Sequence, residues 1–358
     1  SSRTSRINSF GRPDRARGPR LLGHPGMRIR YAASVATAAS VATLALVLSV
    51  AASLALGSRH IALSVVCDAL VSGGTSHDAQ VVVSLRVPRT LAALLGGGAL
   101  GLAGSVMQAI TRNPLADPGV LGINAGAAFA VVATTATFGV TSSGVNLAAS
   151  VGGAAAASLL VFVLSGRGAT GSRARLALAG IAVSAALTSV TQAIVSSNRL
   201  AFNEFRFWAS GSLEGIDMTS VVRAGCLIGA GGVVALLLSS ALGILSLGDE
   251  AAMSLGVRVR VVRTLAVVSV TALAAGATAL AGPLAFVGLA VPLLVRRVVG
   301  ARQGAIAGWS ILVGAVWVCL ADVASRLILA PSEAPVGVIV ALVGAPFFIV
   351  RASGRGMS

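Results

Sequence analysis

Long uncharged stretches dominate the pattern of hydrophobic and polar positions along this chain. A helix needs about 20 mostly apolar residues to cross a hydrocarbon core of roughly 30 Å. Four stretches without Asp, Glu, Lys or Arg reach that length, namely residues 31–56, 90–110, 176–197 and 224–247. Each of them predicts one membrane-spanning helix.

Two longer uncharged stretches each predict a pair of spans. Residues 118–166 are interrupted at residues 139–144 by Gly, Ser and Thr, a composition typical of a turn. Residues 264–295 would form a helix of about 48 Å, which is long for one crossing and short for two. Arginines flank this stretch on both sides and should lie on one side of the membrane, so we expect two short crossings that meet at Gly282 and Pro283.

Two further spans, residues 305–329 and 336–350, bring the predicted total to ten. With the N-terminus in the cytoplasm, 20 of the 27 arginines fall on the inner side, as the positive-inside rule requires. The outer side carries the other seven, which are Arg59, Arg86, Arg89, Arg199, Arg206, Arg223 and Arg326. The sequence therefore predicts an all-α membrane protein with ten transmembrane helices and both termini in the cytoplasm.

The N-terminal segment differs in composition from the rest of the chain. Residues 1–26 are rich in Arg, Ser, Gly and Pro and contain no apolar run, which is typical of a disordered tail. We expect this basic tail to contact anionic lipid headgroups and residues 27–358 to form a single ten-span domain. The composition agrees, since 56% of the residues are hydrophobic, only 11% are charged and the mean hydropathy is +0.91.

The composition also excludes several kinds of chemistry. All 27 cationic residues are arginine, and without lysine the chain has neither a Walker A phosphate loop nor a Schiff-base residue. Its three cysteines are far apart, and its three histidines form no metal-ligand motif. We therefore expect no catalytic site, metal or cofactor in this chain, and any energy that drives its activity should come from another subunit or a gradient.

Small residues recur along the second predicted span. Ala93, Gly97 and Gly101 follow one another at intervals of four residues, so they lie on one face of a helix. Such a ridge lets the backbone of a neighbouring helix approach closely. The pattern predicts close helix packing at this face.

A polar stripe runs along the fifth predicted span. Ser184, Thr188 and Gln192 recur at the same four-residue interval within an otherwise apolar helix. They are candidates for lining a water-filled pathway. Hydrogen bonding between helices explains the same stripe, and the sequence leaves both interpretations open.

Six motifs follow one another in a distinctive order. They are Arg86–Arg89 (RVPR), Arg112–Pro118 (RNPLADP), Leu247–Gly256 (LGDEAAMSLG), Gly282–Gly288 (GPLAFVG), Ala321–Arg326 (ADVASR) and Gly344–Phe348 (GAPFF). Together they resemble the FecCD-like family, the permease subunits of bacterial ABC importers for ferric siderophores, haem and cobalamin. The resemblance covers about residues 31–350 and implies the type II ABC importer permease fold. One position departs from it, because Leu293 stands where the family usually has a histidine.

Three arginines on the predicted outer side, Arg86, Arg89 and Arg326, are candidates for docking a partner. Considered alone, they are equally well explained as interfacial side chains that reach water. The resemblance implies that arginines at these positions receive glutamates from the two lobes of an external substrate-binding protein, a pairing that suits the planar guanidinium. Asp322, four residues before Arg326, is expected to neutralise and orient that arginine.

Acidic residues open the predicted loop between the sixth and seventh spans. Asp249 and Glu250 could begin a short helix that stops at Gly256, where the helix dipole favours acids at the start, although a solvated loop would carry the same residues. The resemblance implies that this segment is the coupling helix that fits into a cleft on an ATPase subunit. Its candidate contact residues are Asp249, Glu250, Ala251, Leu255 and Gly256.

The segment after the second span is predicted to turn sharply, because it contains an asparagine and two prolines. The resemblance implies that it forms the constriction at the cytoplasmic exit, together with the loop at residues 166–175. Asn113 and Leu115 match the gate positions. The second loop has no motif that identifies a residue.

These observations predict the permease subunit of a type II ABC importer that takes up ferric siderophores by alternating access. The resemblance implies as partners a second, identical or homologous permease chain, two ABC ATPase subunits that bind ATP and Mg²⁺, and an extracytoplasmic substrate-binding protein. The setting is the bacterial cytoplasmic membrane, with no nucleic-acid partner. Import of cobalamin or haem is the alternative within the family.

Two alternatives from other classes are weaker. An ion-coupled secondary transporter needs an ionisable group near mid-membrane, and the best candidate, Asp322, already has a partner in Arg326. A purely structural membrane subunit would not explain three outward arginines together with an acidic cytoplasmic loop.

Overall fold

The computed structural model describes residues 25–57, 60–73, 76–139, 142–166, 173–330 and 332–352. Within these ranges the chain forms helices and turns and no strand. Contacts between residues divide the chain into two units, residues 1–40 and residues 41–358. The predicted tail over residues 1–26 lies almost entirely outside the described residues, which begin at Pro25.

The first four helices lead to the centre of the larger unit. They are α1 (Pro25–Ala55), α2 (Leu63–Ser72), α3 (His77–Val81) and α4 (Val87–Thr111). A π-helical turn at Val82–Arg86 joins α3 to α4, so His77–Thr111 runs as one helix of 35 residues. Most of α4 is buried, and the helix packs against α9, α12, α13 and α14.

The next two helices lie within residues 118–166, where the sequence predicted a pair, and a third helix follows them. A 3₁₀ turn at Pro118–Leu121 precedes α5 (Ile123–Phe138), and α6 (Ser143–Leu164) and α7 (Arg173–Ser197) follow. The helix α5 ends at Gly139, which takes a left-handed conformation with φ +65°. Glycine adopts this conformation without steric cost, so the Gly/Ser/Thr cluster ends the helix where the composition predicted.

The segment after α7 differs most from the prediction. A short helix, α8 (Arg199–Ala209), precedes α9 (Met218–Leu237), and α10 (Ser239–Leu245) and α11 (Asp249–Ser254) follow. The predicted span over residues 224–247 is therefore wrong in its bounds. The side chain of Asp217 accepts a hydrogen bond from the Ser220 amide and so starts α9 earlier than the apolar run does.

The last four helices are α12 (Val259–Ala281), α13 (Val287–Val299), α14 (Gln303–Ile328) and α15 (Val336–Ala352). The break expected at Gly282 and Pro283 is present, and it separates α12 from α13. Gly282 has φ +68°, which glycine adopts readily.

Within the described residues, seven helices are long and apolar enough to cross a membrane, by length and composition. They are the described parts of α1, α4, α6, α7, α9, α12 and α14. Three more predicted spans correspond to α5, α13 and α15, which have 16, 13 and 17 residues. The chain is therefore a multi-pass helical membrane protein, and the count of ten crossings stays a prediction.

Small residues hold α4 against its neighbours, as the ridge of small residues predicted. A Cβ atom added to Gly97 would overlap the carbonyl oxygen of Gly314 on α14, and one added to Gly101 would overlap that of Ser310. Gly104 lies equally close to the backbone of Gly288 on α13. Backbone therefore packs directly on backbone, and the contact leaves no room for a side chain.

Candidate functional site

The first candidate site is a group of charged residues where α3 and α4 meet the end of α14. Arg89 lies between two carboxylates: its Nε donates to Asp322 Oδ1 over 2.8 Å and its Nη1 donates to Glu333 Oε2 over 2.6 Å. The side chain of Arg89 is 11% exposed and that of Asp322 is fully buried. The sequence analysis missed Glu333, although it lies only a few residues after α14.

Arg326 forms the expected pair with Asp322. Its Nη2 lies 2.8 Å from Asp322 Oδ2, and it also donates to the hydroxyl of Ser53 over 2.8 Å. Its Nη1 donates to the backbone oxygens of Ser53 and Leu56. The buried carboxylate of Asp322 therefore shares its negative charge between two arginines. Hydrogen bonds to the end of α1 complete the contacts of Arg326.

Arg86 is also turned into the protein. It belongs to the π-helical turn, is 7% exposed, and donates from Nη1 to the Leu54 backbone oxygen over 2.7 Å. The three candidate docking arginines thus lie together and are largely covered by their own chain. In this conformation Arg89 and Glu333 are the members of the group that reach its surface.

The second candidate site is the segment around α11. The predicted short helix is present at Asp249–Ser254, and Gly256 follows it with φ +81°. The side chain of Asp249 is engaged within the protein: it accepts a hydrogen bond from Arg263 Nη2 over 2.9 Å and pairs with Arg112 Nη2. The exposed side of the segment includes Glu250, Met253 and Leu255, the last of which is 62% exposed, together with Ser254 and Gly256.

The candidate gate loop begins where α4 ends. Arg112 ends α4 in a left-handed conformation with φ +50°, which is uncommon for a residue with a side chain. Asn113 Oδ1 accepts from the Leu115 amide over 3.0 Å, and Leu115 is exposed. The second candidate gate loop, residues 166–175, lies mostly outside the described residues.

Asp117 stands at the other end of this loop. Its Oδ1 accepts from the Gly119 amide over 2.8 Å and thereby caps the 3₁₀ turn. Burial raises the pKa of the Asp117 carboxyl above its ordinary value, although the hydrogen bond from Gly119 opposes the shift.

The polar stripe of α7 borders a cavity of about 310 Å³. Ser184 and Thr188 line this cavity, whereas Gln192 is exposed and does not. Two aromatic residues of α8, Phe205 and Trp208, line it as well. The sequence analysis missed these two residues. The pattern that could have identified them is the alternation of Phe and Trp with Arg and Glu between two predicted spans, which is typical of an amphipathic helix.

Among the side chains that the structure describes, no three His, Cys, Asp or Glu residues come together in a way that could hold a metal ion. The polar side-chain groups around the cavity are hydroxyls, the amide of Asn124 and the indole N–H of Trp208. Such groups can bind a passing solute through hydrogen bonds but supply no strong acid, base or nucleophile.

Comparison with known proteins gives the same picture over most of the chain. The sequence profile of the FecCD transport family matches residues 45–353. The ferric enterobactin transport system permease protein FepD of Escherichia coli K12 is 43% identical over 309 residues, which cover 85% of this chain and 92% of FepD. The hemin transport system permease protein HmuU of Yersinia pestis is 37% identical over 306 residues, which cover 83% of this chain and 90% of HmuU.

Two solved structures share the helical architecture. An inward-facing conformation of a metal-chelate type ABC transporter superposes with a TM-score of 0.77 at 28% identity, covering 87% of this chain and 97% of that one. PsaBC from Streptococcus pneumoniae in complex with a Fab superposes with a TM-score of 0.53 at 14% identity, covering 80% and 94% of the two chains. The second likeness concerns the fold alone.

Proposed function

Because the chain belongs to the FecCD transport family, we propose that it is the permease subunit of an ATP-driven importer for ferric siderophores. The observation that carries the proposal is the 43% identity to a ferric enterobactin permease over 92% of that protein's length. Haem is the second candidate cargo, because a hemin permease is 37% identical over a similar length. Cobalamin stays an alternative from the sequence motifs.

The proposed topology has ten crossings with both termini in the cytoplasm of a bacterial inner membrane. Seven helices have the length and hydropathy of spans, and α5 and α15 are shorter apolar helices. The tenth is α13, whose 13 residues would cover about 20 Å and so need the neighbouring loop to complete a crossing.

The proposed assembly places the transport pathway between two permease chains, identical or homologous. Two ATPase subunits would bind ATP and Mg²⁺ on the cytoplasmic side, and a binding protein would deliver cargo outside. The exposed residues of the α11 segment support the first contact, since Glu250, Met253 and Leu255 offer an acidic and apolar surface that the chain itself leaves uncovered.

Docking of the binding protein is proposed at the charged group that contains Arg86, Arg89 and Arg326. Their burial supports a more detailed version of this proposal, in which Arg89 receives the first carboxylate of the partner. A partner glutamate would replace Glu333 on Arg89 Nη1, so the positive charge would keep a compensating acid throughout. Arg326 and Arg86 would then position Arg89 and the end of α1 rather than bind the partner directly.

Cargo would move by alternating access, with Asn113 and Leu115 closing the cytoplasmic exit. Ser184, Thr188 and Gln192 are proposed to line the path, together with the aromatic residues of α8. Hydroxyls and aromatic rings suit a large cargo that must pass without binding tightly, because each contact is weak. Nucleotide binding at the ATPase would shift the balance between outward and inward states.

Co-purification with uptake tests the proposed function. The chain is expressed with its neighbouring genes, reconstituted in proteoliposomes and supplied with ⁵⁵Fe-labelled ferric enterobactin or with haem. We expect an ATPase and a binding protein to co-purify, and uptake to require ATP inside the vesicle with no effect of a proton uncoupler. Uptake driven by a proton or sodium gradient without ATP would overturn the proposal.

A further inference from the structure

Arg112 connects two parts of the chain that are far apart in sequence. Its Nε donates to the backbone oxygen of Leu245, the last residue of α10, over 2.9 Å. Its Nη2 pairs with Asp249, the first residue of α11, which lies 137 positions further along the chain. A single guanidinium therefore contacts both sides of the junction between α10 and α11.

The backbone of Arg112 is equally constrained. Arg112 follows the last residue of α4 and turns the chain with φ +50°, so the direction of the candidate gate loop is set at this residue. Asn113 and Leu115 follow immediately and are held to each other by a side-chain hydrogen bond. A displacement of the Arg112 side chain would thus act on the first residue of the gate loop.

Asp249 has a second partner on another helix. Arg263, near the start of α12, donates from Nη2 to both carboxylate oxygens over 2.9 and 3.0 Å. The carboxylate is therefore held between the end of α4 and the start of α12. It starts α11, where the helix dipole also favours a negative charge.

We propose that Arg112 transmits movement of α11 to the gate loop through its contacts with Asp249 and Leu245. The inference rests on the proposed function, in which α11 is moved by the ATPase. Asp249 is then a positioning residue inside the permease, and the contact with the ATPase falls to Glu250, Met253 and Leu255. The ion pair is partly exposed, with 19% and 30% of the two side chains accessible, which suits a contact that can shift during a transport cycle.

The test uses the reconstituted complex and compares Arg112→Gln, Asp249→Asn and the double variant. The readout is ⁵⁵Fe-labelled ferric enterobactin taken up per ATP hydrolysed. We expect each single change to lower this ratio about three- to tenfold, and the double change to lower it no further than the worse single change. Arg260→Gln, an exposed arginine on the same end of α12, controls for loss of charge and should stay close to wild type.

Arg263→Gln separates transmission from simple anchoring of Asp249. It removes the other partner of the same carboxylate from a position on α12 and not at the start of the gate loop, so we expect a smaller loss than for Arg112→Gln. Equal losses would show that Asp249 only anchors α11 and would overturn the proposal. Losses that multiply in the double variant would overturn it as well, because the two residues would then act independently.

A second measurement follows the gate loop without relying on cargo. In a chain whose native cysteines are replaced by alanine, Leu115→Cys is labelled with a maleimide in the presence and absence of ATP and vanadate. We expect nucleotide to change the labelling rate in the otherwise wild-type chain, and Arg112→Gln to abolish that change. Arg112→Lys keeps the charge that pairs with Asp249 and should retain most of the response to nucleotide, which separates loss of the ion pair from a general loss of stability.

The two proposals fail in different ways. A complex that hydrolyses ATP and responds to nucleotide at Leu115 but imports neither test cargo counts against the proposed cargo and leaves the link supported. A wild-type complex that imports cargo while Arg112→Gln behaves like wild type in both measurements overturns the link and leaves the proposed function intact.

Discussion

Asp322 sets the electrostatic balance of the group that it forms with Arg89 and Arg326. Its carboxylate is fully buried and lies within 2.8 Å of both guanidinium groups. Buried charge without a partner is costly, so the arginines depend on this fully buried acid more than on the partly exposed Glu333. Asp322 is therefore expected to contribute mainly to the stability of the protein, and only indirectly to docking.

Replacing Asp322 by Asn should destabilise the protein strongly. We expect a loss of about 3–5 kcal/mol, because two largely buried arginines would lose their shared counter-charge. Thermal unfolding in detergent measures the change, with Asp68→Asn on the exposed side of α2 as the control for loss of an acid. Equal melting temperatures for the two variants would contradict the balance described above.

Asp117 and Asp217 should respond to pH in opposite directions. Burial raises the folded-state pKa of Asp117, so its charged form is disfavoured in the folded protein and stability is lost as pH rises through the range between the unfolded and folded values. Hydrogen bonds from Ser220 lower the pKa of Asp217 in the folded protein. The Asp217 carboxylate therefore stabilises the folded state above its unfolded-state pKa, and this stabilisation is lost as the pH falls through its folded-state pKa.

Asparagine variants at the two positions test these signs. Relative to wild type, we expect Asp117→Asn to become more stable as pH rises from acid to neutral, because the variant cannot acquire the buried charge. We expect Asp217→Asn to be less stable at neutral pH and to approach wild type in acid. Melting temperatures between about pH 3 and 8 measure both, and the same sign for both variants would contradict the assignment.

At the scale of elements, the backbone contact between α4 and α14 depends on individual glycines. Gly97→Ala should cost about 1–3 kcal/mol, because the added methyl group would overlap the Gly314 carbonyl and force the helices apart. Gly96→Ala is the matched control, since no atom lies within 4 Å of the position that its methyl group would take. It should gain up to about 1 kcal/mol from helix propensity, and a loss as large as that at Gly97 would contradict the packing argument.

Elements with a strong local signal were the ones that the sequence could predict. The long apolar runs located the principal spans, the Gly/Ser/Thr cluster located the end of α5, and Gly282 located the break before α13. The helix α8 carries no comparable apolar run, and α10 lies inside the run at residues 224–247 that predicted one continuous span. The helix α8 begins where the side chain of Asn198 accepts a hydrogen bond from the Ala201 amide, and α10 packs against α4 and α14, two features that hydropathy does not report.

The candidate sites were predictable only in part, for a related reason. Motifs identified Arg89, Asp249 and Arg326 as unusual, and local spacing gave the pair of Arg326 with Asp322. The contacts of Arg89 with Glu333 and of Arg112 with Asp249 join positions more than a hundred residues apart. No periodicity links such positions, so only the folded arrangement reveals them.

At the scale of the whole molecule, the number of crossings decides where the two ends of the chain lie. An even number returns both ends to one side, whereas the seven long helices alone would place them on opposite sides. We expect a C-terminal fusion of green fluorescent protein to fluoresce and a C-terminal alkaline phosphatase to be inactive. A phosphatase inserted after Gly139 should be active and serves as the control for export, and an active C-terminal phosphatase would rule out the proposed orientation.

The glycine contacts of α4 also determine which parts of the molecule can deform. Where carbonyl oxygens rest on α-carbons, there is no side chain to change rotamer and absorb a small displacement. The helices α4, α13 and α14 should therefore move together as one rigid unit. Bending during a transport cycle is left to less tightly held elements such as α7, much of which the chain itself leaves uncovered.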